Sequence, residues 1–561
     1  MMSKTPASFA PAALLVRDKR MLFGAFAVAA LALIPIASLL VLAGANTSDI
    51  WQHLAFNVLP SSLSITLLLM AGVGLGTASL GIGAAWLVSR YEFRGRAMLH
   101  WILVLPLAIP TYISAYCFVE ILDFTGPVQT TLRLIFGFSS RSQYWFPDIR
   151  SLGGAIFVMS VVLYPYVYLT CRMLFEMQGR SMIEAGRVLG AKGSGLFLKI
   201  ALPMARPAIV AGIALALMET LNDIGAVEIL GVRTLTFSIF DTWLNRSSLA
   251  GAAQIACMLL MFAALLLYAE RRARGARGYS VALSGSMPHS RIRLHGAESA
   301  GVAALCLLPP FFGFAMPIAT LARFAFSRSE LLGDPQLLAA AANSLLVASL
   351  TALVTTFAAF LLLTALRRRK LPAVQLIVRL ATLGYAVPGS VLAIGLLYAL
   401  TRFDNGVDAL SRSWLGYSTG LYLSGSAFII IYACSVRFLQ IAHGAVEAGY
   451  TRLSSHVSMV SRTLGRTAWE TFVSVELPLL HRALATAALL VFVDTVKELS
   501  ATILLRPFNF PTLATHVYAL ASRALFEEAA IAALVIVFIG AIPVLVLNRL
   551  QGGTTSSGNQ A

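Results

Sequence analysis

Twelve apolar runs, each long enough to cross a lipid bilayer, dominate this chain of 561 residues. A crossing helix needs roughly 20 apolar residues. Runs of that kind lie near 22–44, 60–89, 97–121, 152–175, 207–230, 249–269, 299–323, 339–366, 374–401, 423–441, 482–505 and 526–548. Composition supports the reading. Hydrophobic residues make up 58%, charged residues 12%, and mean hydropathy is +0.80, whereas soluble domains are about a quarter charged. Such a chain cannot cover its surface with polar groups, so the bilayer must be its solvent.

The formal charge of +17 raises the question of nucleic acid, but the positions of the charges answer it. With the N-terminus inside, most basic residues fall in cytoplasmic segments. They include Arg90, Arg94 and Arg96; Arg271, Arg272, Arg274 and Arg277; and Arg367, Arg368, Arg369 and Lys370. That is the bias that orients membrane helices. It places both termini in the cytoplasm and requires no nucleic-acid partner. Lys497 is expected to be the one basic residue inside a span. The first apolar run follows Lys4, Arg17, Lys19 and Arg20, is too long for a signal-peptide core and lacks a small-residue cleavage site. It is read as a retained first span. Cys117, Cys171, Cys257, Cys306 and Cys434 all fall in apolar runs without CxxC spacing, which makes them small packing residues.

A basic stretch divides the spans into six and six. The expected organisation is an N-terminal cytoplasmic segment 1–21, a first half 22–269, a basic linker 270–298, a second half 299–549 and a cytoplasmic tail 550–561. The halves repeat. One offset of 275 residues relates Leu189-Gly190 to Leu464-Gly465, Phe197 to Phe472, Ile200 to Val475, Leu202-Pro203 to Leu477-Pro478 and Arg187 to Arg462. Carried into the following spans, it relates Glu219 to Asp494 and Asp223 to Glu498. Six spans return the chain to its starting side, so the repeats are parallel.

The connection after the fourth span of each half is long and only mildly polar, where a tight turn would have sufficed. Ile183, Leu189, Leu196, Phe197 and Ile200 recur at roughly helical spacing among Arg187, Lys192 and Lys199, which suggests short amphipathic helices under the membrane. Gly190 allows a sharp turn between them, and Pro203 and Pro207 suit the first turn of the next span. From the residues alone, a helix resting on lipid headgroups serves as well as one docking on a partner.

The string from Glu184 to Pro203 resembles the EAA loop of ABC-importer permeases: Glu-Ala-Ala, three residues, Gly, nine residues, Ile, one residue, Leu-Pro. Glu184, Ala185, Gly190, Ile200, Leu202 and Pro203 fit it, with Gly186 replacing the second Ala. The resemblance implies a coupling helix that inserts into a separate ATP-hydrolysing subunit, with Glu184, Ala185, Gly186, Arg187 and Gly190 as its contact residues and Arg462 and Gly465 as their counterparts. Met459-Val460-Ser461 stands where the second Glu-Ala-Ala would be, so the two sockets on the partner are expected to be unequal. The chain has no G-x-x-x-x-G-K-[ST] sequence. ATP and Mg2+ are therefore expected in the partner, with no cofactor in this chain and no enzymatic activity of its own.

The same offset superposes two carboxylate pairs, Glu219 with Asp223 and Asp494 with Glu498, each four residues apart and so on one helix face. A carboxylate at the bilayer centre costs roughly 2.5–3.5 kcal/mol on insertion scales, so these groups should face protein or water. Two readings stand: an acidic path or gate near the outer mouth, or static helix–helix bonding with Lys497 neutralising a neighbour. Glu120 marks the outer interface. Pro106, Pro110 and Pro388 interrupt the third and ninth spans and free backbone groups that are able to line a cavity.

The stretches Lys497 to Phe510, Gly384 to Gly389 and Pro511 to Tyr518 look like the corresponding regions of fused iron(III) ABC permeases. This resemblance implies an all-α membrane protein of twelve transmembrane helices, built as two pseudo-twofold six-helix type I importer repeats. It implies a place in a bacterial inner membrane, two copies of an ABC ATPase subunit and a periplasmic ferric-binding protein as partners. The resemblance points first to ferric iron as cargo; fused thiamine permeases share that architecture, so thiamine or another small cationic or organic substrate is the alternative. No metal ligands are expected, since a persistent site would impede release. The major facilitator fold also has six plus six spans, but its signature loop follows the second span, where this chain has only Arg90–Arg96. HExxH does not occur, and although Gly416-Tyr417-Ser418-Thr419-Gly420 has GxSxG spacing, the eight histidines are not clustered, which argues against a membrane enzyme.

Overall fold

The computed structural model describes residues 12–45, 47–177, 194–274, 291–368, 371–453 and 455–552. Among them, ten helices are long and apolar enough to cross a membrane, or twelve if each of two bent pairs forms one span. The two bent pairs are the expected third and ninth spans. Arg96–Ala108 meets Thr111–Phe136 at 94°, and Pro372–Ala386 meets Gly389–Leu415 at 111°. The cause is local. A proline disfavours helical geometry in the residue before it, and Ile109 (φ −96°, ψ 122°) and Val387 (φ −92°, ψ 123°) are extended ahead of Pro110 and Pro388. Each proline then opens the helix that follows.

Prolines also shape how other spans begin. Four π-helical turns occur among the described residues, at Leu54–Val58, Phe197–Ala201, Phe311–Ala315 and Phe472–Glu476. Each is followed by one residue and then a proline: Pro60, Pro203, Pro317 or Pro478. A proline ring has no N–H to donate and crowds the carbonyl four residues back. The turn before it widens, and Leu59, Leu202 and Met316 donate to the fifth residue back. Pro203 lies in the first turn of helix Leu202–Asn222 as expected, but Pro207 lies inside that helix.

Two span boundaries differ from the sequence reading. The fifth span ends at Asn222 and the eleventh at Lys497, well short of 230 and 505. In both, a carboxylate one residue later turns away to serve another backbone segment. A third difference concerns charge. Arg437 lies inside helix Phe428–Arg452 and is only 6% exposed, so Lys497 is not alone within the spans.

The chain forms two compact units, and they do not follow the two sequence halves. One contains the first helix (Ala12–Ala43) as far as Val41, together with Leu345–Thr495 and Leu505–Phe508. In it the first helix approaches the ninth span at Gly395, and the Ser38 hydroxyl donates to the Gly395 carbonyl at 2.7 Å. The Tyr432 hydroxyl reaches the Leu31 carbonyl, also at 2.7 Å.

The other unit contains Leu42–Ser344, Val496–Leu504 and the chain from Asn509 onward. Here the seventh span (Gly296–Ser327) packs on the first half, with Gly313 against the Val161 carbonyl and Pro106. Its core joins Ala84, Ala85 and Val88 of the second span with Tyr164, Val167 and Tyr168 of the fourth, Ala201 and Ala205 of the fifth, and Cys306 of the seventh. Two short parallel strands, β1 (Tyr91–Glu92) and β2 (Ile292–Arg293), fasten the end of the linker beside the second span. All five cysteines are free thiols, four of them buried.

Candidate translocation site

The break at Pro110 does more than bend a helix. It leaves carbonyls of the preceding turns without their usual donors, and side chains from other spans supply replacements. The Tyr164 hydroxyl donates to the Leu103 carbonyl at 2.8 Å, and Lys497 Nζ to the Leu107 carbonyl at 3.1 Å. The break also turns the first residues of the new helix, Thr111 and Tyr112, toward the end of the fifth span. The Thr111 hydroxyl donates to Asp223 Oδ2.

Asp223 and Glu498 occupy equivalent positions and make equivalent bonds. Asp223 Oδ1 accepts from the Ala226 amide at 2.8 Å, and Glu498 Oε1 accepts from the Ala501 amide at 2.8 Å. Donors as well as acceptors are 275 residues apart, so the repeat visible in the sequence persists to single hydrogen bonds. Each carboxylate acts as a cap, satisfying an amide that opens the next turn. This is why both spans stop where they do. The Ser500 hydroxyl donates to the Asn222 carbonyl at 2.6 Å, which ties the two span ends together. Gly225 makes the approach possible: a Cβ there would lie 2.6 Å from Leu499 Cδ2 and 2.7 Å from Tyr112 Cβ.

Asp223 and Glu498 interact electrostatically with each other, and Tyr112 with both. Tyr112 is 3% exposed, and its hydroxyl has no hydrogen-bond partner among the described residues. Nearby, the Tyr518 hydroxyl donates to Glu228 Oε2. The cluster thus holds two carboxylates, a phenol and a threonine hydroxyl where one broken and two terminated spans meet. Among the described residues no group of three or more His, Cys, Asp or Glu side chains is arranged to hold a metal ion.

Of the residues singled out by sequence, Pro110, Asp223 and Glu498 come together here. Glu219 is half-buried one turn back in the fifth span. Asp494 and Pro388 belong to the other compact unit, Asp494 half-buried and Pro388 at the ninth-span bend. Thr111, Tyr112, Gly225 and Ser500 were not anticipated. Thr111 and Tyr112 carried a signal in directly following Pro110, whereas nothing local marks Gly225 or Ser500.

The repeat extends to the elements beyond the cluster. Thr234 accepts from the Phe237 amide and Thr512 from the Thr515 amide, each capping a short helix. The next amides, Leu235 and Leu513, donate to Thr66 Oγ1 at 3.0 Å and Ser344 Oγ at 2.7 Å. Here the offset is 278 residues, as it is between Pro110 and Pro388.

Of the coupling residues, Glu184, Ala185, Gly186, Arg187 and Gly190 lie outside the described residues. Their second-half counterparts fall in a helix–turn–helix. Helix Ser455–Thr463 carries Arg462, Gly465 turns the chain in the left-handed region at φ +88°, and helix Ala468–Thr471 follows. Glycine adopts that φ without a Cβ penalty. The two helices fold against each other through Ser461 Oγ and Thr471 Oγ1 at 2.9 Å, both buried. Met459 and Val460, at two of the positions aligned with Glu-Ala-Ala, stand 60% and 56% exposed.

Parallel repeats, paired broken helices and a buried polar cluster at span ends define a polytopic membrane permease. Residues 77–275 match the family described as binding-protein-dependent transport system inner membrane component. The chain is 28% identical to the Fe(3+)-transport system permease protein FbpB 2 of Haemophilus influenzae over 87% of its own length and 89% of that protein. It is 27% identical to the sulfate transport system permease protein CysT of Escherichia coli over 42% of its length and 84% of that protein. It is also 27% identical to the molybdenum transport system permease protein ModB of Escherichia coli over 41% of its length and 96% of that protein. Residues 77–275 thus carry the domain of binding-protein-dependent, ABC-type permeases, and the likeness to the ferric permease extends over both halves of the chain.

Proposed function

We propose that this chain forms the membrane path of an importer for ferric iron. It would be driven by two copies of a separate ATP-hydrolysing subunit and supplied by a ferric-binding protein on the outer side. What supports the cargo reading is the likeness to a ferric permease over both halves of the chain. The acidic cluster favours the same cargo. Asp223 and Glu498 lie within electrostatic reach of each other, and an oxyanion passing them would meet like charge. Ferric iron is a hard cation that prefers oxygen donors, and the cluster offers only such donors.

In this reading Glu219, Asp223, Asp494 and Glu498 line the path or its gate, and the bends at Pro110 and Pro388 give the path its walls. Glu184 to Gly190 and Met459 to Gly465 are the two segments moved by the ATPase. The exposure of Met459 and Val460 supports this, because an apolar surface of that kind is a docking surface in want of a partner. ATP closure would draw the segments together and rock the path open to the binding protein. The cargo is tested by uptake into proteoliposomes holding the complete complex, offered ferric iron, thiamine, sulfate and molybdate together with its substrate-binding protein. Iron uptake that vanadate abolishes is the expected result; transport of an oxyanion or thiamine instead would overturn the cargo. Glu184→Lys should leave the chain folded and uncouple ATP hydrolysis from uptake.

One observation favours a second reading, an oxyanion cargo. Arg437 is buried within the tenth span, and an intramembrane charge is by default a functional residue. The same uptake experiment separates the two.

A further inference from the structure

On the outer side, where the third span ends beside the seventh, lies a groove of about 500 Å3. One wall is built from Phe311, Ala315, Ala319 and Arg323. These recur every four residues and share a helix face, and the two alanines make the trough. Glu120 and Ile121 stand opposite. From Phe311 to Arg323 the helix rises about 18 Å at 1.5 Å per residue. The hydrocarbon of one leaflet is about 15 Å thick, half of the roughly 30 Å core. The groove therefore runs from the membrane surface to the midplane, the depth of a single acyl chain.

Its outer end is polar and carries both signs of charge. Arg323 is exposed, with its guanidinium carbon 5.6 Å from the centre of the Phe324 ring. Glu120 feels Arg323 electrostatically, yet among the described residues neither is held in an ion pair within 4.0 Å. The acids around Glu120 are already engaged: Glu527 pairs with Arg328 at 2.9 Å and Asp123 with Arg150 at 4.0 Å. Glu120 is thus the acid left to receive a cation, beside a guanidinium left to receive an anion.

We infer that this groove seats one phospholipid with a primary-amine head group. Its acyl chain lies along Phe311, Ala315 and Ala319, its phosphate on Arg323 and its ammonium on Glu120. A guanidinium suits a phosphate geometrically. A primary ammonium has three N–H donors for the carboxylate, whereas a choline head group has none and a glycerol head group carries no positive charge. The site is independent of the cargo and of the ATPase.

The test is native mass spectrometry of the full-length chain in detergent, with phosphatidylethanolamine, phosphatidylglycerol or phosphatidylcholine of matched acyl chains added at equal concentration. Wild type should retain one phosphatidylethanolamine about tenfold more strongly than either of the others, equivalent to ~1.4 kcal/mol. Glu120→Gln should remove that preference, and Arg323→Gln should weaken retention of all three lipids. Ala315→Leu with Ala319→Leu, which fills the trough on a lipid-facing surface, should abolish retention. Equal retention of the three lipids by wild type would overturn the head-group assignment, and so would an unchanged preference in Glu120→Gln. Undiminished retention by the double leucine variant would overturn the groove itself.

Discussion

The contact between the first helix and the ninth span yields a sharp prediction. A Cβ placed on Gly395 would lie 2.0 Å from the Pro35 carbonyl oxygen and 2.8 Å from its carbon. Ordinary Cβ contacts begin near 3.4 Å, so Gly395→Ala must push the helices apart by more than an ångström, and the obstacle is backbone that cannot rotate away. Overpacking of this kind costs about 1–3 kcal/mol. The Ser38–Gly395 bond would stretch as well. That hydroxyl is shared with the Ile34 carbonyl at 2.7 Å, so its loss adds only about 0.6 kcal/mol, the average for membrane hydrogen bonds. The sum is about 2–4 kcal/mol. Gly444→Ala is the control: it lies in a helix of the same unit with nothing within 4 Å of its added Cβ, and its effect should be neutral or stabilising by up to ~1 kcal/mol. Equilibrium unfolding in mixed detergent and denaturant measures both. Combining Gly395→Ala with Ser38→Ala should cost less than the sum of the two, because they share a contact. Equal stability of Gly395→Ala and Gly444→Ala would refute the claim that the first helix is held by backbone proximity.

Three further outcomes are expected. Asp223→Asn with Glu498→Gln keeps acceptors for the Ala226 and Ala501 amides but removes both charges, so the chain should fold while cargo uptake falls about tenfold or more; normal uptake would leave these groups a capping role alone. Met459→Glu with Val460→Glu should reduce stimulation of ATP hydrolysis in the complex while leaving the monodisperse permease unchanged by size-exclusion chromatography. The carboxylate of Glu470 sits below its usual pKa because the Thr467 amide, at 2.8 Å, and the Thr467 hydroxyl stabilise its charge. Since its pKa is lower folded than unfolded, the cap is complete above the ordinary carboxylate value and is lost as pH falls through the folded one. Amide-exchange protection at Thr467 should therefore drop in acid, and Glu470→Gln should remove that dependence.

Much of this architecture was legible in the chain itself. Apolar length dictates spans because a bilayer accepts only backbone that satisfies its own hydrogen bonds, and so twelve runs announce the fold. Prolines dictate breaks through local sterics, which is why Pro110 and Pro388 were readable as interruptions. The 275-residue offset foretold equivalent roles for Asp223 and Glu498, and Gly465 foretold a turn. None of these inferences needs a neighbour in space.

What the sequence could not specify is partnership. Nothing in the first apolar run shows that it will leave the half it opens and pack against Gly395, or that the seventh will seat Gly313 on the Val161 carbonyl. In lipid all apolar faces are nearly equivalent, so helix pairing is decided by close backbone approach and a few hydrogen bonds, and these exist only once distant segments meet. The same reason hid the ends of the fifth and eleventh spans. Hydropathy continues past Asn222 and Lys497, but a carboxylate with an amide to cap, a threonine hydroxyl delivered by a bend and a glycine small enough to admit a tyrosine stop the helix there. Apolar content set how many times the chain crosses; tertiary contacts decided where the crossings end and which of them meet.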